Sequence, residues 1–362
     1  MKNFALLACL LLLSCTSSKT TRETQIRFKV SNELNGLDTK FKILQVPSEI
    51  LIGTIEQIES DDKYIYIFSS DSDNSAVYVF ERHTGNYVRS IGHFGRGAEE
   101  YLSPSSISLN NDILSVIDEA QSTILNFNTN TFTFINKTTS PNIGGFVVNN
   151  SVIYANPYEI DGHHVKNAFV SLSDNFNVIH EYVKLPIVSG YVIGPSKPIY
   201  LYGDSVRAYT QFTPYVYELR QDCYEVIYSL LFDGLKFPEQ SYLRRIAAGN
   251  KDYTIPLFKS DYISYFDVFE TENNLLSMCI ANNERYLGIY NKINNKGYLV
   301  SEEHLSQISP AQPFLISGVM DNMFIIPICI SDMADSTLSI EMQSIIDQTD
   351  ENDIVLQLIA LK

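Results

Sequence analysis

Tryptophan is absent from the 362 residues, and positively charged side chains are scarce. Lys and Arg number 26 against 42 Asp and Glu, which gives a formal net charge of −16. The lack of tryptophan counts slightly against a dedicated sugar-binding lectin. A strongly negative chain repels phosphate backbones and anionic membrane surfaces, so we expect no nucleic acid partner. Sugars, peptides, cations and basic patches of envelope proteins remain open as ligands.

The motifs of several enzyme classes are also missing. The sequence has no Gly-x-Ser-x-Gly elbow, no His-Glu-x-x-His or Cys-x-x-Cys pair, and no phosphate-binding glycine loop. Histidines are scattered except in residues 158–167, where His163 and His164 follow Asp161. Adjacent residues of an extended chain point in opposite directions, so we interpret this stretch as a solvated loop. No catalytic residue is predicted.

Only one long apolar run is present, and it lies at the N-terminus, from Phe4 to Leu13. It is shorter than the roughly 20 residues that span a bilayer and is typical of a signal peptide. The Ser14-Cys15 pair that follows resembles a bacterial lipobox, which implies cleavage before Cys15 and acylation of its thiol. We therefore predict a signal peptide over residues 1–14 and a lipidated flexible tether over 15–29. The alternatives are an ordinary signal peptide with an incidental cysteine, or a short anchor.

Cysteines beyond Cys15 are too few and too far apart for a disulfide framework. They are Cys223, Cys279 and Cys329, each in an apolar, strand-like run. We predict that all three are buried free thiols.

Strand-forming residues dominate what the sequence does contain. The chain has 23 Tyr and 20 Phe, mostly in runs bounded by Asn, Asp, Gly or Ser. One pattern recurs, in which a turn rich in Asn or Asp leads into an alternating apolar strand. The six copies lie at 61–70, 110–119, 149–157, 202–210, 272–280 and 320–328. Six units of this length predict an all-β, six-bladed β-propeller over residues 30–362.

Residues 92–109, GHFGRGAEEYLSPSSISL, have the composition of a joint between two blades. Gly92, Gly95 and Gly97 permit the sharp backbone that carries an outer strand across to the next inner strand. Pro104 can begin the new strand because no ladder donor is needed there.

The stretch from residue 95 to 118 resembles the blade joint of NHL/TolB-like propellers. It is most similar to six-bladed propeller lipoproteins of gut-type bacteria, whose joint reads Gly-x-Gly-Pro-Gly-Glu-Tyr. Ala98 and Glu99 depart from that pattern. The matching positions are Gly95, Gly97, Glu100 and Tyr101. The resemblance implies a propeller fold and a cell-envelope location, and it implies little about activity because propellers host many functions.

Closure of the ring and two helices complete the predicted architecture. An open edge strand invites aggregation, so we expect 41–47 to form the outer strand of the last blade. That blade is built from 313–319, 323–329 and 353–361. Helices are predicted at 237–250 and 335–348, the second with its cap at Thr337.

Two functions are open at this point. The first is a non-catalytic scaffold that binds a sugar, a peptide or an envelope protein through loops at one mouth of the channel. The joint 92–104 and the loop 157–166 are predicted to share that face. The predicted binding residues are Arg96, Glu99, Glu100, Tyr101, Tyr158, His163, His164 and Tyr191.

The second function is a calcium-dependent lactonase or esterase-like hydrolase with its metal in the central channel. Calcium prefers oxygen ligands, and four residues in strand-like segments could supply them. These residues are Glu56, Asp118, Asn126 and Asp267. We favour the binding scaffold because the motifs of hydrolases are absent.

Overall fold

The strands form six blades arranged in a ring, as the repeats predict, and two pairs of neighbouring blades, 4 with 5 and 6 with 1, are joined into longer sheets. The computed structural model describes residues 23–70, 75–160, 163–164, 166–185, 197–249, 254–306, 308–310, 315–330 and 340–362. Two strands precede the first blade: β1 (Thr24–Val30) and β2 (Leu37–Leu44). Each blade then has four antiparallel strands, from an inner one at the channel to an outer one at the rim.

The first three blades follow the chain in order. Blade 1 comprises β3 (Thr54–Ser60), β4 (Tyr64–Ser70), β5 (Ala76–Glu81) and β6 (Tyr87–Ile91). The joint that follows contains β7 (His93–Phe94) and β8 (Glu100–Tyr101). Blade 2 comprises β9 (Pro104–Asn110), β10 (Ile113–Asp118), β11 (Thr123–Asn128) and β12 (Phe134–Thr139). Blade 3 comprises β13 (Asn142–Asn149), β14 (Val152–Ile160), β16 (Asn167–Leu172) and β17 (Val178–Lys184), and β15 (His163–His164) pairs with β14.

The last three blades contain the helical insertions. Blade 4 comprises β18 (Ile199–Tyr202), β19 (Ser205–Tyr209), β20 (Tyr215–Leu219) and β21 (Tyr224–Phe232). Helices α1 (Gln240–Gly249) and α2 (Thr254–Phe258) lead into blade 5, with β22 (Ile263–Glu270), β23 (Asn274–Ala281), β24 (Glu284–Asn291) and β25 (Lys296–Ser301). After α3 (Glu302–Leu305), blade 6 combines β26 (Gly318–Met320), β27 (Met323–Cys329) and β28 (Ile354–Leu361) with β2, and α4 (Ile340–Ile346) lies between β27 and β28.

The predicted turns rich in Asn and Asp connect neighbouring strands. Asn150-Ser151 and Asp321-Asn322 from the predicted turns, and Asn282-Asn283 in a further turn between β23 and β24, all have φ between 49° and 64°. Two consecutive residues with positive φ are typical of two-residue hairpins, and Asn and Asp tolerate that conformation best after glycine. The recurring sequence pattern therefore reports hairpins inside the blades.

The hydrophobic core lies between neighbouring blades rather than at the centre of the ring. Between blades 1 and 2, for example, Tyr66 and Val79 pack in one cluster with Val116 and Phe127, all at most 2% exposed. Each sheet is thus covered on both faces, which is why its strands contain runs of apolar residues rather than strict alternation.

The ring closes through β2, as predicted, although this strand begins earlier than the expected 41–47. It pairs antiparallel with β28 along its full length, from Leu37 opposite Leu361 to Leu44 opposite Ile354. Just beyond it, the backbone N–H of Val46 donates to Asp353 Oδ1 at 2.9 Å. The two ends of the chain therefore build one blade together.

The predicted tether over 15–29 is wrong in its second half. Residues 24–30 form β1, which pairs in parallel with β21 and with β25 and so joins blades 4 and 5. Ile26 and Phe28 are fully buried, and Phe28 stacks on Phe232 with ring centroids 4.8 Å apart. Residues 15–22, including Cys15, lie outside the described part of the chain.

The helix predicted at 237–250 is confirmed as α1, where Leu243 and Ile246 pack on Phe212. Of the helix predicted at 335–348, the described residues contain α4, which ends at Ile346, two residues earlier than predicted; residues 335–339, with the cap predicted at Thr337, lie outside the described part of the chain. No helix in the described part of the chain is long and apolar enough to cross a membrane.

The three cysteines are free thiols, as predicted, but they are not all buried. All three cysteines are free, and Cys279 is buried, which raises the pKa of its thiol. Cys329 is half-buried. Cys223 is exposed because it lies in the turn between β20 and β21, so its predicted burial is wrong.

Docking of β1 can be tested by shortening one buried side chain. We expect Phe28→Ala to lower the free energy of unfolding by about 3–5 kcal/mol, because it leaves a cavity against Phe232. Val30→Ala, on the same strand but 67% exposed, should change it by less than about 0.5 kcal/mol. Urea unfolding of both variants measures the difference. Equal stabilities would show that β1 does not pack on the ring.

Candidate functional site

A cavity of about 300 Å³ lies on the axis of the ring, where the inner parts of all six blades meet. Its wall includes Gln57 from blade 1, Ser108 from blade 2 and Val147 from blade 3. Blades 4, 5 and 6 contribute the residues around Tyr200, Asp267 and Gly318. Because inner strands converge only after the ring has closed, residues far apart in sequence become neighbours here.

An ion pair joins opposite sides of this cavity. Lys197, at the start of blade 4, extends its ammonium group to Glu59 Oε1 of blade 1, and both side chains are half-buried. Six blades in a ring place blade 4 across from blade 1, so the pair spans the axis. Gln57 fixes the carboxylate from the other side by donating from Nε2 to Glu59 Oε1 at 2.8 Å.

Gln57 also binds the neighbouring blade. Its side-chain amide accepts from the N–H of Ile107 at 3.0 Å and donates to the carbonyl of Ile107 at 2.6 Å. These two bonds continue a sheet-like pairing from blade 1 to blade 2. The Lys197–Glu59 pair is therefore mounted on a rigid support.

Asp267 is an acid in the cavity wall whose pKa is strongly raised. The residue is 8% exposed, and its carboxylate accepts hydrogen bonds from the hydroxyls of Tyr209 and Tyr265 and from the N–H of Val268. Burial raises the pKa of Asp267 from 3.8 to about 6, and the three hydrogen bonds oppose that shift only in part. The group lacks a cationic partner among the described residues.

A second ion pair stands behind the wall between blades 4 and 5. Glu270, whose side chain is fully buried, contacts Lys292 Nζ at 2.6 Å and accepts from the hydroxyls of Tyr228 at 2.8 Å and Tyr200 at 2.9 Å. The ammonium of Lys292 lies 4.3 Å from the ring centroid of Tyr202, a cation–π distance. Burial raises the pKa of Tyr200 and of Tyr228.

The four residues considered as calcium ligands separate into two groups. Glu56 and Asp267 both line the cavity. Asp118 instead accepts from the N–H groups of Leu102 and Ser103, and Asn126 bonds to Asn136 on the outer strand of blade 2. No group of three or more metal-ligating acids, histidines or cysteines occurs in the described part of the chain. The set of four does not converge.

The joint between blades 1 and 2 is held by its own side chains. Glu100 accepts from the N–H of Gly97 at 2.6 Å and lies 3.1 Å from His93 Nε2, and the bond from Gly97 lowers the pKa of Glu100. Lys137 donates to the carbonyl of Glu100 at 2.8 Å. A side chain at Gly95 would meet the Glu100 carboxylate at 2.0 Å, so glycine is required there.

Tyr101 does not belong to a binding rim, and this prediction is wrong. The residue is fully buried, and its hydroxyl donates to the carbonyl of Ile91 at 3.0 Å. Gly92, with φ +67°, leaves room for the tyrosine ring, which a Cβ would approach to 2.4 Å. Tyr101 is thus a core residue of the joint.

The other predicted rim residues differ in their exposure, and some of them lie outside the described part of the chain. Arg96 and Glu99 are exposed, and Glu100 is half-buried within the joint. Tyr191 and the side chains of Tyr158, His163 and His164 lie outside the described part, so their role stays a prediction. The antiparallel order of strands in blades 1 and 3 agrees with a common face for 92–104 and 157–166.

Several residues of the cavity were not singled out from the sequence. Lys197, Glu59 and Gln57 occur in ordinary strand-like segments, and no spacing relates them. The one available signal was a charged or amide residue within a run that should be buried, which Gln57 and Glu270 both show.

The raised pKa of Asp267 makes stability depend on pH. The carboxyl stays protonated in the folded state up to about pH 6 but ionises near 3.8 when unfolded, so stability falls as pH rises between these values. The difference corresponds to roughly 3 kcal/mol. We expect Asp267→Asn to match the wild type at pH 3.5 and to be more stable by about 1–3 kcal/mol at pH 7.5. Urea unfolding at both pH values tests this, and a difference independent of pH would contradict it.

Comparison with known proteins agrees with this architecture. A family model described as a six-bladed β-propeller, DUF5128, matches residues 16–327. A solved structure of a Bacteroides fragilis protein described as exported is 27% identical, with a TM-score of 0.86 over 94% of this chain and 100% of that one. A DUF4221 member from Bacteroides vulgatus is 12% identical, with a TM-score of 0.59 over 91% and 99% of the two chains, and shows the fold alone.

No curated protein matches the chain. The six blades, the closure by β2 and the agreement with a solved relative over almost the whole length all describe one architecture. Because the family model covers well over half of the residues, the protein belongs to the DUF5128 family of six-bladed β-propellers.

Proposed function

We propose that the protein is a lipid-anchored scaffold of the cell envelope whose propeller binds a small ligand in the central cavity without transforming it. The observation that carries the proposal is the cavity itself. Its volume of about 300 Å³ is at the lower end of the range of about 300–1,000 Å³ typical of small-molecule sites. Its wall contains both apolar and polar residues, and all six blades contribute to it.

The polar groups of the wall suit recognition because they are fixed in place. Glu59 is held by Lys197 and Gln57, and Asp267 is held by two tyrosine hydroxyls. Fixed groups lose little entropy when a ligand binds, which favours affinity. Binding a ligand without transforming it requires no nucleophile.

The location rests on separate support. The relative from Bacteroides fragilis is described as exported, and the N-terminal residues of this chain resemble a lipoprotein signal. The exposed joint residues Arg96 and Glu99 are the proposed contacts for a peptide or an envelope protein. We therefore place the ligand in the cavity and any protein partner at the rim.

Blocking the cavity tests the site. In a thermal-shift screen of metabolites, a ligand at about 100 times its Kd should stabilise the wild type by about 2.7 kcal/mol. Leu201→Trp, which adds an indole to the cavity wall, should abolish that shift. Ile135→Trp, on the exposed outer strand of blade 2, is the matched control and should keep it.

Two outcomes would overturn this assignment. A shift that survives Leu201→Trp would place the ligand elsewhere on the propeller. One tightly held Ca²⁺ per purified chain, together with EDTA-sensitive hydrolysis of lactones, would replace the binding role by the lactonase. Glu56 and Asp267 are the carboxylates at the cavity that would then hold the ion.

The anchor is tested independently of the ligand. We expect Cys15→Ser to abolish labelling by a radioactive fatty acid and to release the protein from the membrane fraction, because the thiol is the predicted acylation site. Cys9→Ser, within the apolar run, is the matched control and should leave both unchanged. Labelling that persists in Cys15→Ser would refute lipidation at this residue.

A further inference from the structure

The lining of the central cavity has more negatively than positively charged side chains. Four carboxylates line it, those of Glu56, Glu59, Asp267 and Glu270, against the single ammonium of Lys197. Lys197 neutralises Glu59, and Lys292 neutralises Glu270 from behind the wall. Glu56 and Asp267 are left without a cationic partner in the described part of the chain.

These two carboxylates belong to one region of the cavity. Glu56 comes from β3 of blade 1 and Asp267 from β22 of blade 5, the blades on either side of blade 6. The hydroxyl of Tyr265 donates to Asp267 Oδ2 at 3.2 Å, and burial, followed by the charges of Asp267 and Glu56, raises the pKa of Tyr265. Glu56 is exposed to the cavity and accepts only from the hydroxyl of Ser70, at 2.5 Å, among the described residues.

An ammonium group of the chain itself shows what this lining accepts. Lys197 lines the cavity, and its Nζ contacts Glu59 Oε1. Lys292 makes a similar contact between blades 4 and 5, where its ammonium group contacts Glu270 and the face of the Tyr202 ring. Carboxylates beside aromatic rings are suited to primary ammonium groups.

The remaining space fits a short hydrocarbon chain. Leu109, Val147, Ile316 and Val319 supply apolar wall between the charged groups. A volume of about 300 Å³ limits the ligand to a compact molecule.

We propose that the central cavity binds a small organic ammonium ion, with Glu56 and Asp267 as its counter-charges and the apolar wall around its hydrocarbon part. This inference rests on the proposed binding function, whose ligand class it names. The contact of Lys197 with Glu59 shows how an ammonium group pairs with a carboxylate of this cavity. The strongly negative charge of the chain would also favour the approach of a cation.

Three probes of equal length and different charge test the ligand class. Calorimetric titration of the full-length protein at pH 7.5 should detect binding of 1,5-diaminopentane. The neutral 1,5-pentanediol and the anionic glutarate should bind at least about 100-fold more weakly, because neither can pair with the carboxylates of Glu56 and Asp267. Leu201→Trp should remove the diamine signal.

Charge-removing variants test the residues. Glu56→Gln and Asp267→Asn should each weaken diamine binding by about tenfold or more, while Asp174→Asn, in the exposed turn between β16 and β17, should leave it unchanged. Glu56 is exposed and its substitution should not disturb folding, so a loss of binding there cannot be attributed to unfolding.

Each other result contradicts the proposal in a distinguishable way. Diol or glutarate binding as tightly as the diamine, and blocked by Leu201→Trp, would overturn the ammonium class but keep the cavity as a binding site. The same conclusion would follow if none of the three probes bound while the metabolite screen found another ligand in the cavity. Diamine binding that survives both charge-removing variants would overturn the roles of Glu56 and Asp267.

Discussion

Closure of the ring is the constraint on which the rest of this structure depends. Six sheets in a circle leave a free strand edge wherever the two ends of the chain fail to meet, and a free edge pairs with other chains. Here β2 supplies the outer strand of a blade whose other three strands come from the C-terminal end. A further strand, β1, fills the seam between blades 4 and 5, where it pairs in parallel with the outer strand of each. The N-terminal residues thus hold the ring at two places.

A closed ring forces inner strands together on its axis, and polar groups become buried there. Isolated burial of a charge is costly, so these groups form pairs such as Glu270 with Lys292. Buried ion pairs seldom add stability compared with apolar packing of the same volume, because desolvation offsets their attraction. The apolar clusters between blades already supply the core. Under the proposed binding role, the charged groups in the channel serve recognition rather than folding.

The sequence predicts the repeating architecture well, because hairpins and apolar strands are local features. Turns such as Asn150-Ser151 mark the hairpins directly. The channel could not be predicted in this way, since Glu59 and Lys197 meet only through closure of the whole ring. The strand β1 was missed although Ile26, Phe28 and Val30 alternate with polar residues, because the segment follows a predicted tether and belongs to no repeat. Tyr101 was placed on a rim because aromatic residues in loops often bind ligands, whereas here the glycine-rich joint folds over it.

The joint also explains why a resemblance in sequence can be specific for fold and uninformative about ligands. Its matching residues are engaged with one another: Glu100 binds the backbone of Gly97, and Gly95 leaves the space that Glu100 occupies. Tyr101 closes the core beneath them. None of these groups is free to contact a ligand, so the motif records how a chain passes from one blade to the next. The groups that are free to do so, Glu56 foremost, lie on inner strands where side chains can change without altering the hairpins or the joint. Under the proposed binding role, ligand specificity would therefore be carried by positions outside the motif that identifies the fold.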